Sequence, residues 1–164
     1  MKTLCIILPA FNEANVIGNV LDELLEFSKK QTQLTVEIVV IDDGSIDQTG
    51  QVVRACGVKV LRHILNRGLG GALATGIEYV KRHNFDFALT MDSDGQHAIA
   101  DIPKVLELLF EDKADVVIGS RLLGQKGMPH DRILINKMSN YFTYLLFGIM
   151  TSDSQSGFRA FNKK

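Results

Sequence analysis

Apolar and polar positions along this chain follow a repeated order: a short apolar run, a polar turn, then a segment with helical spacing. The runs at residues 4–8, 36–41, 58–61, 85–91 and 115–118 are nearly continuous, as in strands buried on both faces. Between them Ile17, Leu21, Leu24 and Leu25, with Val16 and Val20 beside them, recur at helical spacing. Val52, Val53 and Cys56 share one side of a short second helix, and Leu69, Leu73, Gly76, Ile77 and Val80 mark a third. A fourth is predicted to begin near Ile102 and Pro103, with Asp101 placed to cap it. Pro9 has no amide hydrogen to extend a ladder and is predicted to end the first strand. Strands alternating with helices predict an α/β fold: a mostly parallel sheet, helices on both faces, right-handed crossovers. No repeat or linker interrupts it, so residues 1–164 read as one domain.

Residues 131–150 break the pattern. Met138, Phe142, Leu145 and Ile149 share a helical face, while Tyr141, Tyr144, Leu146 and Phe147 make the other faces apolar. The segment is predicted to be a helix packed largely as core. Its stretch 133–150 carries surplus apolar surface for lipid or a neighbouring subunit.

Composition narrows the classes. With 164 residues, 46% of them hydrophobic, the chain can bury one sizeable core. A net charge of -1 supplies no basic field, which argues against nucleic acid as a partner. Cys5 and Cys56 lie inside apolar segments without ligand spacing, which fits small core residues in a reducing, cytoplasmic setting. No uninterrupted apolar run approaches the ~18 residues that span a bilayer, and no cleavage-like tail follows the first apolar run.

The polar residues that end the strands carry the chemistry. Asp92 and Asp94 follow the fourth strand, one residue apart, with Gly95 and Gln96 next. Residues two apart in a strand share a face, so both carboxylates can converge on one object just beyond the strand's carboxyl end. Carboxylate oxygens, with the Gln96 side-chain carbonyl, suit a hard cation such as Mg²⁺ or Mn²⁺ that shares its shell with phosphates. The competing reading is a polar Asp-x-Asp-Gly turn. Asn12 and Glu13 follow the first strand and Asp42 and Asp43 the second, so acids distant in sequence gather at one sheet edge. Ser45 and Asp47 fit a turn and helix cap. The glycines of Asn66-Arg67-Gly68-Leu69-Gly70-Gly71 let backbone approach a ligand or a strand closely, and no Gly-Lys-Ser/Thr follows to make a P-loop.

Five motifs stand in a telling order: Leu8-Pro9-Ala10-Phe11-Asn12-Glu13; Asp42-Asp43-Gly44-Ser45-x-Asp47-x-Thr49; Asn66-x-Gly68-x-Gly70; Asp92-x-Asp94-x-Gln96-His97; and Asp153-x-x-Ser156-Gly157-Phe158-Arg159. With Gly119-Ser120-Arg121, the chain resembles the inverting glycosyltransferase family 2, towards its branch of polyprenyl-phosphate sugar transferases, the dolichyl-phosphate mannose synthase kind. The resemblance implies the GT-A fold, a nucleotide-sugar-binding, Rossmann-like sheet. It implies a UDP- or GDP-sugar donor held by Pro9, Ala10, Asn12, Glu13, Asp42, Asp43, Gly70, Asp92, Ser93 and Asp94. Asp92, Asp94 and Gln96 would hold Mg²⁺ or Mn²⁺, and Arg121, Arg132 and Arg159 would meet the phosphate of a polyprenyl acceptor, since guanidinium forks match phosphate oxygens. Asp153, with Asp94, is the catalytic candidate. It would act as base for a hydroxyl acceptor, or as partner to Arg159 for a phosphate already ionised at neutral pH. A lipid acceptor implies peripheral contact with the cytoplasmic face of a membrane. A saccharide or protein hydroxyl acceptor, or a binding module without catalysis, remains open. Relatives of this kind continue past Lys164 with further helices, so the chain is either a fragment of a longer protein or builds its acceptor site sparingly.

Overall fold

A computed structural model describes residues 1–93, 99–119 and 156–163. In chain order the elements are β1 (Lys2–Ala10), α1 (Ile17–Lys30), β2 (Leu34–Asp42), α2 (Thr49–Ala55), β3 (Lys59–Arg62), α3 (Gly68–Arg82), β4 (Phe87–Thr90), a 3₁₀ turn (Ile99–Asp101), α4 (Ile102–Phe110), β5 (Val116–Ile118) and β6 (Arg159–Asn162). Among these residues the strands form one sheet in the order β3-β2-β1-β4-β6-β5. β1 pairs in parallel with β2 and β4, and β2 with β3. The α/β expectation holds, with one strand unforeseen. β6 runs antiparallel between β4 and β5 and separates those two.

Alternation along β1 explains the layers. Leu4, Ile6, Leu8 and Ala10 point to one face, where they pack with Leu21 and Leu24 of α1, Val53 of α2 and Leu106 of α4. Cys5 and Ile7 point to the other, under Ala72 and Tyr79 of α3. Both faces are covered, and the sheet's central runs are apolar throughout for that reason.

Several local expectations need correcting. Pro9 does not end β1: the strand runs to Ala10, with Pro9 opposite Ile41. The Ile7 carbonyl accepts the Met91 amide, so alternation turns Pro9 to the same β4 side, where β4 pairing has already ended. Its missing donor therefore costs no ladder bond. Asp101 makes no cap bond and pairs instead with Lys104 at 2.7 Å. On α3, Leu69 and Ile77 are exposed, and the buried positions are Ala72, Gly76 and Tyr79. A Cβ at Gly76 would overlap the Ile7 side chain, so the helix lies too close to the sheet for anything larger. The predicted helix at 131–150 lies outside the described residues.

Candidate functional site

The chain leaves β1 towards β2 and β3, then returns to lay β4 on the other side of β1. That reversal opens a crevice beyond the carboxyl ends of the strands, the usual ligand position in open α/β sheets. A cleft of about 350 Å³ lies there. Its walls come from four strand ends: Pro9, Ala10, Phe11 and Glu13 after β1, Asp43 after β2, Asn66, Gly68, Leu69 and Ala72 after β3, and Asp92 and Ser93 after β4.

The wall from β1 and β2 is tied together by side chains that accept backbone amides. The Asn12 amide donates to Ser45 Oγ at 3.0 Å, Glu13 to Thr49 Oγ1 at 2.8 Å and Ala14 to Asp47 Oδ2 at 3.1 Å. In return the Ile46 amide donates to Asn12 Oδ1 at 2.9 Å. Asn12 sits at φ 58°, a left-handed conformation that Asn tolerates better than most residues. Thr49 is wholly buried and its hydroxyl donates to Asp47. The Asp47 carboxyl is pushed up by burial, but the Thr49 hydroxyl and amide and the Ala14 amide outweigh this and hold it below the usual carboxylate range.

The two acids after β2 are both buried but have different partners. Asp42 has no exposed surface; its Oδ1 accepts the Ser45 amide at 2.9 Å and its Oδ2 lies 3.4 Å from Arg62 Nε. It fixes the turn and is absent from the cleft wall. Asp43 lines the cleft, and its Oδ1 faces the Arg67 amide at 3.0 Å and His63 Nδ1 at 2.6 Å. Burial pushes its carboxyl up, but the Arg67 amide, His63 and the Gly68 amide outweigh burial and keep it below the usual range.

The opposite wall rests on β6. Because β6 is antiparallel to β4, its first residue Arg159 pairs with Thr90, and the preceding Ser156 and Gly157 arrive beside Asp92. Thr90 Oγ1 donates to the Gly157 carbonyl at 2.9 Å. A Cβ at Gly157 would overlap the Asp92 carboxylate, so that side chain lies across the glycine. The Ser93 hydroxyl donates to the Pro9 carbonyl at 2.9 Å, tying the β4 end back to β1.

Of the predicted donor residues, Pro9, Ala10, Glu13, Asp43, Asp92 and Ser93 line the cleft. Asn12 braces it from behind, and Gly70 sits on α3 outside the wall, where its missing side chain faces open space. Arg159 donates from Nε to the Ser156 carbonyl at 2.8 Å and is not among the lining residues. Asp94, Gln96, Arg121, Arg132 and Asp153 lie outside the described residues. Phe11 lines the cleft from within the predicted Pro9–Glu13 donor loop; Asn66, Gly68, Leu69 and Ala72 were not named as donor residues. The signal for Asn66 and Gly68 was present: an Asn-x-Gly turn with Gly68 at φ 77° opening a helix at a strand end.

Of the predicted metal residues only Asp92 is described, and it brings a carboxylate to the cleft, the hard oxygen donor that suits Mg²⁺ or Mn²⁺ rather than a softer metal. Among the described residues no cluster of three acidic, His or Cys side chains is assembled, and no helix is long and apolar enough to cross a membrane.

Residues 5–164 match the description of Glycosyl transferase family 2. The chain belongs to that family. It is 42% identical over 160 residues to an uncharacterised protein of Methanocaldococcus jannaschii, covering 96% of this chain and 63% of the relative. It is 34% identical to the UDP-N-acetylglucosamine–dolichyl-phosphate N-acetylglucosaminyltransferase of Methanococcus voltae, covering 99% of this chain and 70% of that one. The family 2 chain thus spans about two thirds of the length of these relatives. Its fold is shared with glucosyl-3-phosphoglycerate synthase of Mycobacterium tuberculosis, solved with Mn²⁺ and UDP-glucose. The TM-score is 0.71 at 20% identity, over 98% of this chain and 56% of that one.

Proposed function

We propose that this family 2 domain transfers a sugar from a nucleoside-diphosphate donor to a polyprenyl phosphate, with inversion at the anomeric carbon. The observation that carries the reading is the convergence of Asp43 and Asp92, from β2 and β4, on one cleft at the β1/β4 reversal. The M. voltae relative's name specifies a UDP-sugar and dolichyl phosphate, and the M. tuberculosis structure holds a UDP-sugar with Mn²⁺.

In this reading the β1–β2 wall receives the nucleoside and the β4 end receives the diphosphate. Asp43, kept ionised by its amide donors, presents an acceptor to the N–H groups of a uracil or guanine edge. Asp92 would hold Mg²⁺ or Mn²⁺, together with Asp94 and Gln96. A cation held by these residues would supply charge neutralisation for the departing nucleoside diphosphate. The absence of a side chain at Gly157 leaves room for the Asp92 carboxylate beside the cleft. The acceptor phosphate is dianionic near neutral pH and needs no base, so Arg121, Arg132 and Arg159 serve it as counter-charges and Asp153 orients Arg159.

The test is a thermal-shift screen of UDP- and GDP-sugars with and without Mn²⁺, followed by turnover of a radiolabelled donor onto a short polyprenyl phosphate. Stabilisation by one nucleotide class, strengthened by Mn²⁺, and label in the lipid phase support the reading. Turnover onto a saccharide or peptide hydroxyl alone would replace the acceptor. Binding without turnover would leave a nucleotide-sugar-binding module.

A further inference from the structure

Behind Asp43 lies a set of contacts that no motif announces. His63 follows β3 directly, its side chain 10% exposed, with Nδ1 2.6 Å from Asp43 Oδ1 and Nε2 2.9 Å from Thr75 Oγ1. Thr75 is on α3, and its hydroxyl donates to the Gly71 carbonyl one turn earlier at 3.1 Å. Asp43 Oδ1 accepts the Arg67 amide at 3.0 Å. The contacts therefore close a ring: from the Arg67 amide through Asp43, His63 and Thr75 back to α3 at Gly71.

We infer that His63 and Thr75 are positioning residues for the nucleotide site, acting through Asp43 and the first turn of α3. A planar imidazole with both nitrogens engaged is a rigid spacer, so it fixes the rotamer of Asp43 relative to the helix. Gly68, Leu69 and Ala72 line the cleft from that same stretch of helix, so the ring sets the distance between the carboxylate and the facing wall. Thr75 Oγ1 is the atom that meets His63 Nε2, and Ser can supply the same oxygen where Val cannot. The inference rests on the nucleotide reading of the cleft.

Calorimetric titration of UDP and of GDP, each with Mn²⁺, is made on the full chain and on Thr75→Val, Thr75→Ser and His63→Ala. Melting temperatures are recorded alongside. Thr75→Val is expected to weaken the bound nucleotide about tenfold, as for one lost hydrogen bond at the site, while Thr75→Ser restores affinity. His63→Ala is expected to weaken it further. In turnover the donor KM rises with kcat held, because Asp43 contacts ground and transition states alike. If the parent protein binds nucleotide and Thr75→Val binds it equally well, the positioning role is refuted, whatever its melting temperature does. If the parent binds neither UDP nor GDP, the nucleotide reading falls and this inference falls with it. Should His63→Ala not fold, the Thr75 pair decides.

Discussion

The two walls of the cleft are built on opposite principles. The β1–β2 wall is held by atoms that are present: Ser45, Asp47 and Thr49 each accept an amide from the loop after β1, and Asn12 returns the bond to Ile46. The β4–β6 wall depends on atoms that are missing, because the Asp92 carboxylate occupies the space a side chain at position 157 would fill. A hydrogen-bonded wall yields in increments as single bonds are lost. A wall defined by exclusion fails at once when a methyl group enters.

The largest effect should therefore come from Gly157→Ala. Overpacking there should cost ~1–3 kcal/mol of stability and turn Asp92 out of the cleft. Nucleotide affinity in the presence of Mn²⁺ should fall by roughly 100-fold, the upper range for losing support of a metal ligand. Calorimetry at parental affinity would show that the wall tolerates the methyl and that the contrast is false.

Thr49→Val ranks next. It removes the acceptor for the Glu13 amide at a residue that is itself fully buried, at about 1–3 kcal/mol for the unsatisfied groups. Urea melts should register it, together with a smaller loss of nucleotide affinity than Gly157→Ala gives. Equal losses in the two variants would erase the distinction between the walls.

Asn12 offers a sharper comparison within the first wall. Both Asn12→Gly and Asn12→Ala lose the bond to Ile46, but alanine keeps a Cβ in left-handed backbone that glycine removes, a difference of about 1 kcal/mol. Alanine should melt lower than glycine; the reverse order would show that φ at this position relaxes.

The smallest effect is on acid stability. The Asp43 and Asp47 carboxyls are both held below their ordinary range. Their contribution is complete above the unfolded-state value near ~3.9 and is lost as pH falls through the lower folded values. Urea midpoints should decline below about pH 4 in the parent and less steeply in Asp47→Asn. Identical slopes would mean that Asp47 titrates alike in both states.

How much of this was legible follows from where each instruction resides. β1 and β2 are written in local runs such as Leu4 to Leu8, which only a doubly covered strand requires, so the layered fold could be read directly. β6 could not, because Arg159-Ala160-Phe161-Asn162 is too short and too mixed to announce a strand, and its place depends on two partners far away in sequence. Pro9 misled for a related reason: whether a missing amide matters depends on which neighbour that side of the strand faces. On α3 Leu69 and Ile77 are exposed, while Gly76, named with them, lies buried in close approach to Ile7. At the cleft, the acids were legible as a gathering at strand ends. The division of labour between Asp42 and Asp43 was not, since neighbouring residues point apart and only Arg62, His63 and the α3 turn decide which one borders the cleft.

The insertion of β6 also sets an order of assembly. A ribosome delivers β4 and β5 well before Arg159–Asn162, and in this sheet neither of those strands pairs with the other. Until β6 arrives, the outer edge of β4 is an open row of amides and carbonyls, and Asp92 has no Gly157 to lie across. The nascent chain thus exposes a sheet edge suited to pairing with another chain during the interval when the cleft at the strand ends is still unfinished.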